Sequence, residues 1–134
     1  MAFEDLYRLS AHAVITDANG SVLLVKATYG SFAWGLPGGA LEPGETIHEC
    51  VMRECQEELG QEVDVCHLTG VYYHKAVNSH AFIFRCQLSG DEEIRLSAEH
   101  SEYRYFPLVE LSPVQRRRVE DCLQFEGVVA SEKF

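Results

Sequence analysis

The chain has 134 residues, 46% of them apolar and 24% charged, a composition that fits one globular domain and excludes disorder and low complexity. A net charge of −10 argues against a generic nucleic-acid surface, so no nucleic-acid polymer is expected as a partner. The aliphatic run Val22-Leu23-Leu24-Val25 is too short to span a bilayer, and the acidic start MAFEDLYRLS lacks the layout of a secretion signal.

No repeat or linker interrupts the chain, so residues 1–134 read as a single domain. Ala11 to Thr16 reads as a strand, Asp17-Ala18-Asn19-Gly20 as a hairpin turn, and Val22 to Ala27 as the returning strand. Phe32 to Leu36 is a third apolar segment, stopped by Pro37-Gly38-Gly39. A helix begins near Thr46, where Thr46-Ile47-His48-Glu49 has the form of a capping box, and it stops at Gly60. Ile47, Val51, Cys55 and Leu59 give that helix a buried stripe. Strands are expected over 63–73, 81–88, 93–96 and 102–106, and Ser112-Pro113 opens a second helix to about Phe125. Two helices with intervening strands predict an α+β or α/β sandwich. Five cysteines at 50, 55, 66, 86 and 122 make no CxxC pair, so reduced thiols and a cytoplasmic location are expected.

The acid is concentrated. Residues 42 to 62 hold seven glutamates against Arg53 alone. Glu54, Glu57 and Glu58 fall at i, i+3 and i+4 and share a sector of about 100° on the first helix. A solvated acidic face is the plain explanation of such a helix, but three carboxylates with no lysine among them invite an external cation. Hard divalent cations such as Mg²⁺ take carboxylate, water and phosphate oxygens. The approach, Gly39 to Gly44, has the glycine spacing of a P-loop. Glu45-Thr46 stands where that motif needs Lys-Ser/Thr, so the P-loop reading fails.

The run Gly39-x5-Glu45-x7-Arg53-Glu54-Cys55-x-Glu57-Glu58-x-Gly60-Gln61 resembles the Nudix box, G-x5-E-x7-R-E-U-x-E-E-x-G-U, at all seven fixed positions. Cys55 is a small residue and Gln61 a polar one at positions (U) that are usually bulky and apolar. The resemblance implies an α+β Nudix fold, a mixed β-sheet sandwiched between helices. It implies Mg²⁺ or Mn²⁺ held by Glu54, Glu57, Glu58 and the Gly39 carbonyl, with Arg53 and Glu45 as a structural ion pair. The implied reaction is hydrolysis of a nucleoside diphosphate linked to a group X, by water attack on phosphorus. The general base is open: Glu57 within the box, or Glu99 or Glu102 beyond it. Glu102 is preferred because it immediately precedes the strand to Phe106.

Lys26, Phe32, Trp34 and Tyr72 are weaker candidates for substrate contact, Lys26 for phosphate and the aromatics for a base. Arg116-Arg117-Arg118 reads as a solvated cationic face. The position sixteen beyond Gln61 is Val77, neither the proline that marks ADP-ribose enzymes of the family nor the tyrosine of dinucleoside-polyphosphate enzymes. That leaves NTP-like substrates ahead by elimination. The alternative is a Nudix-fold module that binds a nucleotide without turnover, although no box glutamate is lost. Oligomeric state, a homodimer included, is left open.

Overall fold

The computed structural model describes residues 2–134. In chain order it runs β1 (Arg8–Val14), β2 (Val22–Ala27), β3 (Trp34–Gly35), β4 (Gly38–Ala40), α1 (Ile47–Leu59), β5 (Val63–His74), β6 (Ser79–Leu88), β7 (His100–Phe106), α2 (Pro113–Leu123) and β8 (Ala130–Lys133). Two sheets result, a five-stranded one in the order β4-β1-β6-β5-β8 and a three-stranded one in the order β3-β2-β7. The larger sheet is mixed, with β1–β6 and β5–β8 parallel.

Period-two alternation in the strands supplies two cores. Ala11, Ala13, Leu23, Val25 and Phe84 pack against Val51, Cys55 and Leu59 of α1. Val14, Val22, Leu24, Tyr72 and Ile83 pack against Val119 and Cys122 of α2. The sheets therefore lie between the helices, as an α/β/α sandwich requires. Helix α1 starts on a complete capping box. Thr46 Oγ1 accepts from the Glu49 N–H at 3.1 Å, and Glu49 Oε1 accepts from the Thr46 N–H at 3.0 Å. It ends at Gly60, which is left-handed with φ of 72°.

Several expectations need correction. The Asp17–Gly20 turn forms, with Asp17 Oδ1 accepting from Asn19 and Ser21, but the pairing across it is short, a Thr16–Val22 bridge flanked by the Asp17–Ser21 and Leu23–Ile15 backbone bonds. Past that bridge β1 and β2 enter different sheets, so no extended hairpin exists. Residues 93–96 form no strand. Ile94 and Leu96 pack on the α1-side core while the Arg95 N–H donates to the Leu59 carbonyl, so the segment is a strap over the helix end. Gln61 explains itself here: its side-chain amide donates to the Glu92 carbonyl at 2.9 Å and ties the strap down. Strands β4 and β8 are additions. Gly38 is the reason β4 exists, since a Cβ there would lie 2.2 Å from the Ala11 carbonyl oxygen.

All five cysteines are free, and only Cys66 is exposed. Burial pushes the Cys50 thiol up to about 11 and that of Cys86 to about 12. A thiol reagent applied to native protein is expected to label Cys66 alone and to leave activity unchanged, read by intact mass and rate together. Inactivation traced to any buried cysteine would contradict this. Among the described residues no helix is long and apolar enough to cross a membrane.

Candidate active site

Strand β4 and the last turns of α1 bring the acidic residues together. The Gly38 N–H donates to Glu58 Oε2 at 2.7 Å, which fixes a carboxylate that is only 3% exposed. A Cβ on Gly39 would fall 2.7 Å from the Glu54 carboxyl carbon and 2.8–2.9 Å from its oxygens. The missing side chain is therefore what lets bare backbone lie against Glu54. Burial raises the proton affinity of Glu58 to about 8; the Gly38 N–H opposes it, and Glu54, Glu99 and Glu57 add to it. Burial also raises Glu54, with Arg53 opposing and Glu57 and Glu99 adding.

Arg53 is the hub of the loop. Its Nε donates to Glu45 Oε2 at 2.5 Å and its Nη2 to Glu45 Oε1 at 2.9 Å. Nη2 also reaches the Ala40 carbonyl at 3.3 Å, while Nη1 reaches Glu54 at 3.0 Å and Glu57 at 3.2 Å. Glu45 Oε1 accepts from the Glu42 N–H as well, so guanidinium and carboxylate together fasten residues 40–45 to the helix. Among the described residues no three His, Cys, Asp or Glu side chains are grouped as a preformed metal centre. Arg53 accounts for this, because one guanidinium nitrogen holds Glu54 and Glu57 at once.

The Arg53 bonds pull Glu45 down to about 2 from an ordinary 4.5. A carboxylate depressed in the folded state stabilises the protein above its unfolded value and loses that contribution as pH falls. Glu45→Gln is therefore expected to melt below wild type above about pH 4.5, with the gap closing as pH approaches about 2. Thermal melts across that range check it, and a gap independent of pH would contradict it.

Beyond the box the candidates separate. Glu102 sits opposite Lys26 in the β2–β7 register and pairs with it at 3.5 Å. Glu99 is the loop acid whose charge acts on both Glu54 and Glu58. Its carbonyl accepts from the Thr28 N–H at 2.9 Å, and the Ala98 carbonyl accepts from Thr28 Oγ1 at 3.0 Å, so the loop is pinned to the end of β2. The two acids thus differ in their surroundings: Glu102 has a lysine partner, and Glu99 faces the box glutamates with its charge. His100, next in sequence, is a residue that the box motif does not single out. Its Nε2 lies 3.4 Å from Glu58 Oε1, burial lowers its proton affinity, and only its place beside Glu99 marks it in the sequence.

Tyr72 leaves the substrate candidates. It is fully buried, and its hydroxyl donates to Asp121 at 2.8 Å. Trp34 is half-buried, edge-on to Phe106 with Arg104 over its ring. Phe32 stands on an exposed turn with φ of 55°, beside exposed Tyr29. The arginine run divides as well: Arg116 pairs with Glu120 and Arg117 with Asp121, whereas Arg118 turns inward.

A family model described as NUDIX domain matches residues 6–122. A MutT-like protein of Streptomyces ambofaciens is 36% identical over 107 residues, covering 80% of this chain and 68% of that protein. The nucleoside triphosphatase NudI of Escherichia coli is 28% identical over 113 residues, covering 75% and 72%. The crystal structure of an ADP-ribose pyrophosphatase from Streptococcus suis superposes with a TM-score of 0.79 at 20% identity, covering 96% of this chain and all of that one. The low identity of that last likeness makes it evidence of fold alone. Family match, relatives and box geometry agree: the chain belongs to the Nudix family of hydrolases, enzymes that act on phosphoric anhydride bonds.

Proposed function

We propose that the protein is a divalent-metal-dependent pyrophosphohydrolase of a free nucleotide, with a nucleoside triphosphate as the favoured substrate. The observation that carries this is the crowding of Glu54, Glu57, Glu58 and Glu99 beside Arg53, a cation already committed to Glu45. Glu58 is buried and driven toward protonation, which is the mark of a carboxylate lacking its counter-charge. The bare Gly39 backbone lies against Glu54, and oxygen ligands such as carboxylates and backbone carbonyls suit Mg²⁺ or Mn²⁺, the metals that Nudix enzymes generally use. Glu54, Glu57, Glu58 and the Gly39 carbonyl would hold the metal. When bound, the metal supplies charge for the phosphate oxygens and acidity for water.

The chain's own residues do the rest. Arg53 and Glu45 hold the glycine loop on α1 and release Glu54 and Glu57 as their charge is met elsewhere. Glu99 takes the proton of the water that attacks phosphorus, and Lys26, paired with Glu102 at the end of β2, meets a substrate phosphate. Support for a triphosphate comes from the nucleoside triphosphatase among the relatives and from the absence of the proline and tyrosine marks beyond the box. The test is turnover of a panel of nucleoside triphosphates, ADP-ribose and dinucleoside polyphosphates with Mg²⁺, the products resolved by anion-exchange chromatography. Release of pyrophosphate from triphosphates fits the reading. No turnover of any member, with nucleotide still bound, would replace it with that of a binding module.

A further inference from the structure

Four strands of the larger sheet set Lys133, Tyr73, His80 and Leu9 side by side in one row. The register pairs Lys133 with Tyr73 across β8–β5, Tyr73 with His80 across β5–β6, and His80 with Leu9 across β6–β1. Ala11 and Phe82, two residues further along β1 and β6, belong to the core under α1. The row before them joins neither core, and Leu9 stays 40% exposed. A cavity of about 570 Å³ opens there, lined by Tyr7, Val71, Tyr73, His80, Ser131 and Lys133. Strand alternation turns Ser131 and Lys133 to this face, whereas the Glu132 carboxylate goes to the other and pairs with Arg117 of α2 at 3.4 Å. Lys133 is left with no carboxylate partner among the described residues.

The three rings form a corner. Tyr73 and His80 make its floor, with centroids 4.8 Å apart and planes 36° from each other. Tyr7 stands edge-on to both, at 6.5 Å and 75° from Tyr73 and at 5.4 Å and 70° from His80. Asn78, left-handed with φ of 49°, fixes floor and wall together. Its Oδ1 accepts from the Tyr73 hydroxyl at 2.6 Å, and its Nδ2 donates to the Leu6 carbonyl at 3.1 Å. Its own carbonyl accepts from the Arg8 N–H at 3.0 Å, so the chain is tied to it on both sides of Tyr7. The corner is therefore built before anything enters it, and Tyr7 keeps 49% of its surface exposed.

We propose that this corner is a binding site for a nucleoside monophosphate, separate from the hydrolytic site. The base lies flat on Tyr73 and His80 with its edge against Tyr7, and the phosphate meets Lys133. Stacking on aromatic faces holds any base, so the site takes the class of molecule rather than one base. An aromatic-lined cavity of this volume with few polar groups has the dimensions of a small-molecule site. A ring without the anion leaves Lys133 unmet, and an anion without the ring leaves the floor bare. The order β4-β1-β6-β5-β8 puts β8 at the opposite edge from the β4 glycines, four strand spacings or about 19 Å away. A nucleoside monophosphate is also what remains when pyrophosphate leaves a triphosphate. The corner's role as a product site rests on the hydrolase reading above; the binding itself does not.

Calorimetric titration of the full chain with AMP in EDTA tests the site, since an acidic cluster without metal repels a phosphate. Wild type is expected to bind one AMP per chain, and adenosine or ribose 5-phosphate about tenfold more weakly or worse. Tyr7→Leu and Lys133→Met should each weaken AMP binding by about tenfold and leave triphosphate turnover in Mg²⁺ at the wild-type rate. Lys133→Met should also bring AMP and adenosine to equal affinity, because only the phosphate answers to the lysine. Absence of AMP binding overturns the proposal, and so does binding that neither variant weakens. Ribose 5-phosphate bound as tightly as AMP makes this an anion contact with no base site and equally refutes it. Loss of turnover in step with AMP binding would place these residues in the hydrolytic site, against the proposal. Should Tyr7→Leu fail to fold, Lys133→Met decides. Triphosphate hydrolysis without AMP binding in EDTA sinks this inference alone; AMP binding at the corner without hydrolysis sinks the hydrolase reading alone.

Discussion

Glu58→Gln is expected to lower kcat by roughly 10³-fold or more at saturating Mg²⁺ while leaving the metal-free fold intact. The amide keeps an oxygen for the Gly38 N–H and can donate to His100, so the local bonds survive. What is lost is one of the negative charges that a divalent cation would answer. The linkage is also visible without metal. Glu58 is raised from 4.5 to about 8, so the folded state binds the extra proton and the metal-free protein loses stability as pH rises between those values. Glu58→Gln should remove that slope. Added Mg²⁺ should raise the wild-type melting temperature more at about pH 8 than at about pH 5, because only the ionised carboxylate binds it. Melting curves at both pH values, with and without Mg²⁺, decide the matter. Full activity in the variant, or an unchanged slope, would remove Glu58 from the metal site.

Most of what positions this site was legible because it is local. The capping box at Thr46, the stop at Gly60 and the four-residue stripe through Val51, Cys55 and Leu59 depend on neighbours within a few positions, and α1 forms where they place it. The Glu45–Arg53 pair follows from the same spacing once the glycine loop folds back. What escaped depends on distant partners. Pro37-Gly38-Gly39 reads as a stop, and Gly38–Ala40 becomes a strand only because β1 offers an edge that tolerates no Cβ at Gly38. Residues 130–133, Ala-Ser-Glu-Lys, have no strand pattern and pair only because β5 is there to receive them. Conversely, Ile94 and Leu96 alternate like a strand but bury themselves on the end of α1. Arg118 cannot be told from Arg116 and Arg117 by composition. Helical phase does it: Gln115, Arg118, Val119 and Cys122 share one face, and that face is turned to the sheet.

Glu99→Gln is expected to lower kcat by about 10²- to 10⁴-fold with little change in KM or in Mg²⁺ affinity, the signature of a lost general base. Rigidity favoured Glu102 from sequence, since a strand residue is better fixed than a loop residue. The structure removes that advantage. Thr28 holds the backbone of Ala98 and Glu99 by two bonds, and Ser97 Oγ accepts from the Glu99 N–H at 3.3 Å. Direction then decides. The Glu102 carboxylate is turned to Lys26, whereas the charge of Glu99 bears on Glu54 and Glu58, the proposed metal ligands. The box glutamates are poorer bases, because a carboxylate gripping a cation loses affinity for protons. Glu102→Gln should therefore act mainly on KM, by releasing Lys26 from its partner. A pH–rate profile should lose its acidic limb in Glu99→Gln and keep it in Glu102→Gln. If the limb instead disappears in Glu102→Gln, the strand acid is the base after all. If only Glu57→Gln removes it while Mg²⁺ still binds, the base lies within the box and Glu99 merely adds to the field that draws the metal in.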